Sequence, residues 1–250
     1  MTVKGRYELK FPIDRALVPE IVAAAKHGLV VDEHTTNAVY RVSSLYFDTA
    51  DLLAYWEKVD GERVRKKFRL RYYSVSEGLR DNLVQGAFME IKHRINNTVF
   101  KERLELSDEG ASAILADPSE LRHLERHLAP GGDPDRVTIE TVLRAANQPG
   151  FHPVTVITYL REAWIGKVDP TLRLTFDSLC EAYLPEAFAQ VGEPGGVAIL
   201  DPTRTIMEVK FDDAIPRWIR DAVGRFGLAL DRFSKYAAGV EALGLASHDV

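Results

Sequence analysis

Hydrophobic and polar positions alternate with a period of two over many short stretches of this chain, the spacing of strands whose two faces meet different surroundings. Residues 67–73, Lys-Phe-Arg-Leu-Arg-Tyr-Tyr, show it most clearly, with Lys67, Arg69, Arg71 and Tyr73 on one face and Phe68, Leu70 and Tyr72 on the other. The alternation recurs at Arg6, Glu8 and Lys10. It returns at Ser44, Tyr46 and Asp48 in 39–48, at Glu90, Lys92 and Arg94 in 87–94, and at Lys101, Arg103 and Glu105 in 98–106. Later strands are expected over 154–166 with Arg161, 171–177 with Arg173 and Asp177, and 205–211 with Glu208 and Lys210, Asp212 following. Asn96-Asn97 reads as a hairpin turn and Asp60-Gly61 as the turn into the central basic strand.

Between these strands the period changes to that of helices. Helices are expected at 17–27, stopped by Gly28, at 49–56, twice within 108–129 behind the starts Ser107 and Asp117-Pro118, at 137–146, from Pro216 to about 227, and at 233–243. Residues 76–86 read as a polar loop. Residues 185–203, rich in Gly and Pro, form the longest irregular segment and the candidate for a loop that closes over a site. No repeat or linker divides the chain, so 4–244 is expected to be one α+β domain with a flexible tail at 245–250.

Composition narrows the possibilities. A chain of 250 residues, 46% hydrophobic and 28% charged, can bury a real core, and a formal net charge of -5 argues against a nucleic-acid partner. Any affinity for anions must be local. Cys180 stands alone and no apolar leader follows Met1, so the cytoplasm is the expected compartment. No apolar run is long enough to span a membrane, which leaves membrane contact to a possible membrane-protein partner.

The charged faces carry few of the short polar residues of a solvated strand. They carry Arg6, Lys10, Lys67, Arg69, Arg71, Lys92, Arg94, Lys101, Arg103, Arg161, Arg173 and Lys210, joined by Lys235 of the last helix, against Glu8, Glu90, Glu105, Asp177, Glu208 and Asp212. An open sheet would leave that face in water. A closed antiparallel barrel of about eight strands, apolar outside under its helices, would turn it into a basic tunnel. Such a lining repels itself unless a polyanion fills it, and phosphate suits it best, because Arg offers a planar fork to paired oxygens and Lys a point charge. Glu208 or Glu8 beside phosphate could keep Mn²⁺ or Mg²⁺.

With these residues in place the chain resembles the VTC domain, the polyphosphate polymerase branch of the CYTH, or triphosphate tunnel metalloenzyme, superfamily. The matching pieces run in order from Arg-Tyr-Glu-Leu-Lys at 6–10 and Ser-Leu-Tyr-Phe-Asp at 44–48 through Leu-Arg-Tyr-Tyr at 70–73, Met-Glu-Ile-Lys at 89–92 and Tyr-Leu-Arg at 159–161. They continue with Leu-Arg-Leu-Thr-Phe-Asp at 172–177, Met-Glu-Val-Lys at 207–210 and Phe-Ser-Lys-Tyr at 233–236. Leu160 stands where family members often have Asn. Arg6 replaces the first Glu of the Glu-x-Glu-x-Lys signature of cyclase and thiamine triphosphatase relatives, which favours the polymerase branch.

The resemblance implies an eight-stranded tunnel that binds ATP or another triphosphate, and inorganic polyphosphate, with Mn²⁺ or Mg²⁺. It implies Lys10, Arg69, Arg71, Lys92, Arg161, Arg173, Lys210 and Lys235 as residues acting on the transferred phosphates. Arg6, Lys67, Arg103, Tyr159 and Ser234 would bind phosphate, and Glu208, with Glu8 and Glu90, would hold the metal. Three activities are open: transfer of the γ-phosphoryl group of ATP to a polyphosphate end, hydrolysis of triphosphate or polyphosphate, and binding of polyphosphate or inositol phosphate without turnover. A carboxylate free to position water, Glu90 or Glu8, would favour hydrolysis. The His123 and His127 pair reads as a solvated helix face, Gly192–196 as a plain loop, Trp56, Trp164 and Trp218 as packing residues, and Cys180 as inert.

Overall fold

A computed structural model describes residues 5–32, 39–74, 83–190 and 195–246. All of its strands pair antiparallel in one sheet. In chain order the elements are β1 (Arg6–Asp14), α1 (Val18–Ala25), β2 (Leu29–Val31), β3 (Val39–Asp48), α2 (Leu53–Val59), β4 (Val64–Ser74), β5 (Leu83–Ile95), β6 (Thr98–Leu106), α3 (Asp108–Ala116) and α4 (Arg136–Ala146). The remainder are β7 (His152–Gly166), β8 (Arg173–Tyr183), β9 (Val197–Ala198), β10 (Arg204–Phe211), α5 (Arg217–Arg225) and α6 (Lys235–Ala242). Neighbours run β1-β6-β5-β4-β3-β7-β8-β10 and back to β1, so eight strands close a barrel, while β2 and β9 add short pairings to β7 and β8.

Closure follows from the alternation, since each strand needs apolar cover on one face only. Outside β4, β5 and β6, the side chains of Leu70, Met89, Ile91 and Leu104 pack with Ile114 of α3, Leu121 and Leu124 of the 3-10 helix Pro118–His127, and Val142 of α4. Outside β1, β8 and β10, Phe11, Phe176, Met207 and Val209 pack with Ile21 of α1 and Ile219 of α5. Fully burying one such side chain is worth about 1.5–3 kcal/mol, which is what holds the helices against the barrel. Ser107 caps α3 by accepting from the Gly110 amide at 2.9 Å, and Asp117 caps the following 3-10 helix at Ser119, 2.9 Å. Asn96 takes the left-handed φ of 53° that the tight β5–β6 turn requires.

Several boundaries differ from the sequence reading. The helix expected at 49–56 is α2, which starts four residues later, because the Asp48 carboxylate accepts from the Ala54 and Tyr55 amides at 3.0 and 3.2 Å and sets its start. Strand β8 runs past Asp177 to Tyr183. A bulge at Leu179, φ 49°, reverses the phase of its alternation there, and the register with β7 shifts at the same place. Segment 185–203 holds the 3-10 helix Pro185–Gln190 and β9. Phe188 packs at a tilt against Tyr72 on the outer side, and among the described residues of this segment none lines the cavity. Of the expected tail, Leu245 and Ala246 pack near α6, and residues 247–250 lie outside the described residues. Most of the polar loop at 76–86 and Gly192 lie outside them as well. Among the described residues no helix is long and apolar enough to cross a membrane.

Candidate active site

Directly paired residues of neighbouring strands share a face, so the strand register decides which charges meet inside the barrel. Glu90 of β5 pairs Arg69 of β4 on one side and Arg103 of β6 on the other, giving a base-acid-base row. The next row is Lys67, Lys92 and Lys101, three bases abreast, and the row beyond it sets Arg65 beside Arg94. Across the barrel Lys10 faces Glu208, Glu8 faces Lys210, and Arg161 faces Asp177. These residues surround a cavity of about 480 Å³ lined by Glu8, Lys10, Lys67, Arg69, Arg71, Lys92, Tyr159, Arg161, Glu208, Lys210, Ser234 and Lys235 among others.

Two acid centres organise the bases. Asp177 and Glu208 anchor the first. Arg161 donates to both Asp177 oxygens at 2.7 Å, and Lys235 donates to Asp177 at 2.6 Å and to Glu208 at 3.0 Å. Lys210 lies 2.9 Å from Glu208, and Lys10 bridges Glu8 at 3.2 Å and Glu208 at 3.5 Å. Lys92 completes this side at 3.0 Å from Glu8. Glu90 anchors the second, fully buried, with Arg69 at 2.6 Å, Arg71 at 3.6 Å, Lys101 at 3.0 Å and Arg103 at 2.7 Å.

Burial raises the pKa of Glu8, Glu90, Asp177 and Glu208, but in each the surrounding bases outweigh it and hold the carboxyl below its usual range. Lys92 and then Lys10 do so for Glu8, Arg69 and Arg71 for Glu90, Arg161 and Lys235 for Asp177, and Lys210 and Lys235 for Glu208. The bases divide. Lys235 is raised well above the usual lysine value, because Asp177 and Glu208 overcome its burial, whereas burial lowers Lys92 to about 8 even with Glu8 beside it. Lys67 is pushed well down by burial, then by Lys92 and Lys10. Its ammonium donates to the Ser234 hydroxyl at 2.9 Å and sits 4.8 Å over the Tyr236 ring, and no carboxylate pairs with it among the described residues.

The structure therefore brings Lys10, Lys67, Arg69, Arg71, Lys92, Arg161, Lys210, Lys235, Tyr159 and Ser234 to one cavity, with Glu8 and Glu208. Four other candidate site residues lie off it, one of them the buried Glu90 of the second acid centre. Arg6 pairs with Asp212 at 3.2 Å, Arg173 lies 3.7 Å from Asp32, and Arg103 stands beyond Glu90, donating to the Tyr73 hydroxyl at 2.9 Å. Alternation alone did not single out Ser44 and Tyr46 for a role, yet their hydroxyls accept from Arg71 at 3.1 Å and Arg69 at 3.0 Å and fix both guanidinium groups. Their signal was their place on the same face as Asp48. Lys58 and Arg232, also in the wall, had no periodic signal because they come from a helix and an irregular segment.

Glu8 and Glu208, on adjacent strands with one ammonium between them, are a donor set that a hard divalent cation accepts when phosphate and water complete its shell. Among the described residues no three His, Cys, Asp or Glu side chains converge, so the protein's share of such a shell is those two carboxylates. Glu90 lies off the cavity with both oxygens held by four bases, whereas Glu208, also held by four (Lys10, Arg161, Lys210 and Lys235), lines the cavity where phosphate would meet it. Cys180 is buried, and burial pushes its thiol up to about 12.

A family model described as the VTC domain matches residues 5–244. No curated protein matches significantly. Among solved structures, a candidate adenylate cyclase of Bacillus halodurans superposes with a TM-score of 0.55 at 10% identity, over 94% of this chain and 96% of that one. A candidate adenylyl cyclase of Hippeastrum, which reveals a dominant triphosphatase activity, superposes with a TM-score of 0.52 at 14% identity over 95% of each chain. At such identities the likeness is one of fold.

Proposed function

The chain belongs to the VTC domain family, and from that premise we propose that it is a metal-assisted phosphotransferase that moves the γ-phosphoryl group of ATP or another triphosphate onto the end of an inorganic polyphosphate chain. Its chief support is the convergence on one cavity of bases from β1, β4, β5, β7, β10 and α6, where the carboxylates Glu8 and Glu208 are each already shared among several of them. The surplus is positive. A triphosphate or a phosphate chain supplies the missing charge along a line, as a single small anion cannot.

The transfer asks little covalent chemistry of the protein. A terminal oxygen of the acceptor chain forms a bond to the γ-phosphorus, the bond from that phosphorus to the β–γ bridging oxygen breaks, and the electron pair leaves with the nucleoside diphosphate. Arg69, Arg71 and Arg161, each already held by a carboxylate or hydroxyl of the wall, would turn their positive charge and remaining N–H donors to the non-bridging oxygens, and Lys10, Lys92, Lys210 and Lys235 would offer point charges to the leaving and attacking groups. The hydroxyls of Ser44, Tyr46 and Tyr159 hold Arg69 and Arg71 in place, so little reorganisation is needed. A divalent ion, Mn²⁺ or Mg²⁺, held by Glu208 and Glu8 with phosphate oxygens would neutralise the charge shared by the donor's last two phosphates. The attacking oxygen is already anionic, and no general base is required. Glu8 and Glu90, the carboxylates that could activate water, are held by bases well below the pKa that such a task needs, which favours transfer over hydrolysis.

The test is purified protein with ATP and Mn²⁺ or Mg²⁺, analysed for polymer, nucleoside diphosphate and free phosphate. The expected result is polymer and nucleoside diphosphate in step. Free phosphate without polymer would make the protein a hydrolase, and no product at all would make it a binding module. Glu208→Gln keeps the shape and removes the charge, and should cost roughly a hundredfold or more in turnover, the scale of the several kcal/mol a metal supplies. Undiminished turnover at low metal would remove Glu208 from the mechanism.

A further inference from the structure

The tunnel cavity does not end at its mouth. It opens into a second pocket of about 430 Å³, and Lys58, Arg65, Arg94, Asn97 and Arg232 line both, so the two form one path. The outer pocket adds Arg63 at the foot of β4. Arg65 and Arg94 are directly opposite on β4 and β5, an arrangement of like charges that disfavours the sheet.

Among the described residues none of these bases forms an ion pair with a carboxylate. The contacts that exist are weaker substitutes. Arg65 donates to the Glu62 carbonyl at 2.5 Å, and Arg94 donates to the Asn96 carbonyl at 2.9 Å. Burial and then Arg65 lower Lys58, and burial and then Arg94 lower Arg65, so the cluster repels itself as the inner lysine row does. A basic cluster that faces outward into water gains nothing from being concave. One that continues a phosphate tunnel extends it.

We propose that this vestibule is a second anion subsite, which holds the part of a linear polyphosphate chain that emerges from the tunnel and so gives the protein a preference for long chains over triphosphate. The proposal rests on the reading of the tunnel as a phosphate site. The described lining favours a bare phosphate chain over a nucleotide base or a nucleic-acid strand. Val59, Gly61, Glu62, Asn96 and Asn97 complete the pocket, so five bases face one carboxylate there, and no aromatic side chain offers a face on which a base could stack. A bare phosphate chain needs no such face.

Binding without metal separates the two subsites, with triphosphate and long-chain inorganic polyphosphate titrated into the native protein, Arg63→Ala and Arg63→Glu. Arg63 is exposed and lines only the outer pocket, so its loss spares the tunnel and the fold. Native protein should bind the long chain at least tenfold more tightly per molecule. The alanine variant should lose about three- to tenfold of that affinity and the reversed charge more, with triphosphate affinity unchanged, on the scale of one charge-assisted contact. Equal losses for both ligands, or no loss for the long chain, would overturn the subsite. So would an oligodeoxynucleotide of similar charge that competed as well as polyphosphate. If triphosphate binds and Arg71→Ala abolishes it, yet the long chain has no advantage, this inference alone falls. If native protein binds neither ligand, the proposed function falls with it.

Discussion

Lys92 is half in charge of its own titration, because burial lowers it to about 8 and Glu8 restores only part of the loss. Lys67, without a carboxylate, is likewise held well below its usual value by burial and then by Lys92 and Lys10. A bound polyanion would restore both protons, so the empty protein takes up protons on binding wherever pH exceeds the lysine pKa. Affinity for ATP without metal should therefore fall as pH rises through about 8, where Lys92 gives up its proton. Calorimetry at pH 7, 8 and 9 in buffers of different ionisation enthalpy would detect that uptake, and an affinity flat across the range would refute it. The sequence made the inward face of these lysines legible, since Lys67, Lys92 and Lys101 each fall on an alternate position. It did not make their pairing legible. That Glu90 would meet four bases while Lys67 met no carboxylate depends on register between strands far apart in the chain, which no single-strand pattern carries.

Among the elements, α6 decides whether the lining is complete, for it carries Lys235 and begins at Ser234. Asp48 fastens it there. One carboxylate oxygen accepts from the Tyr236 hydroxyl at 2.5 Å and the other from the Ala54 amide at 3.0 Å, so the end of β3, the start of α2 and the first turn of α6 share one anchor. Tyr236 also stacks on Tyr46 at 5.0 Å, next to the residue that holds Arg69. Gly239 lets the helix lie close, since a side-chain carbon there would collide with Ile157 of β7. Asp48→Ala strands buried donors on both helices and should destabilise the protein by about 2–4 kcal/mol. That corresponds to roughly 2–4 °C of melting temperature for each kcal/mol in a chain this long. Tyr236→Phe keeps the ring and removes one hydrogen bond, so its melting temperature should fall less, while turnover falls in both. Native turnover in Tyr236→Phe would show that the anchor does not position Lys235. Helix and strand types were legible from periodicity, but this anchor was not. The start of α2 was placed four residues early because a carboxylate outside the helix sets it, and β2 was missed because three residues paired only to the end of β7 carry no pattern.

At the scale of the whole molecule the distribution of charge opposes its sum: the chain is acidic overall, and the tunnel and its mouth are basic. The basic interior was legible because the same strands are apolar on their other face and carry few short polar residues on the charged one, which a closed barrel under helices reconciles. Its energetic consequence is that the empty protein carries repulsion which a ligand relieves, so a polyanion should raise the melting temperature by mass action. The residues differ in how they share that cost. Arg71 is tied to Ser44, Tyr159 and Glu90, so Arg71→Ala should lower the melting temperature of the empty protein and also shrink the rise with triphosphate. Lys67 stands in a row of bases without a carboxylate, so its charge costs stability and serves binding alone. Lys67→Met keeps the apolar stem and should leave the empty protein as stable as native or more so, yet reduce the triphosphate-induced rise. Glu125→Ala, an exposed change on the outer 3-10 helix, should alter neither. A thermal-shift series on these variants at low and high salt tests the sign directly, because an enclosed site is screened less than an exposed one. A Lys67→Met protein that melts several degrees below native while keeping its full ligand response would mean that Lys67 supports the fold and not the phosphate.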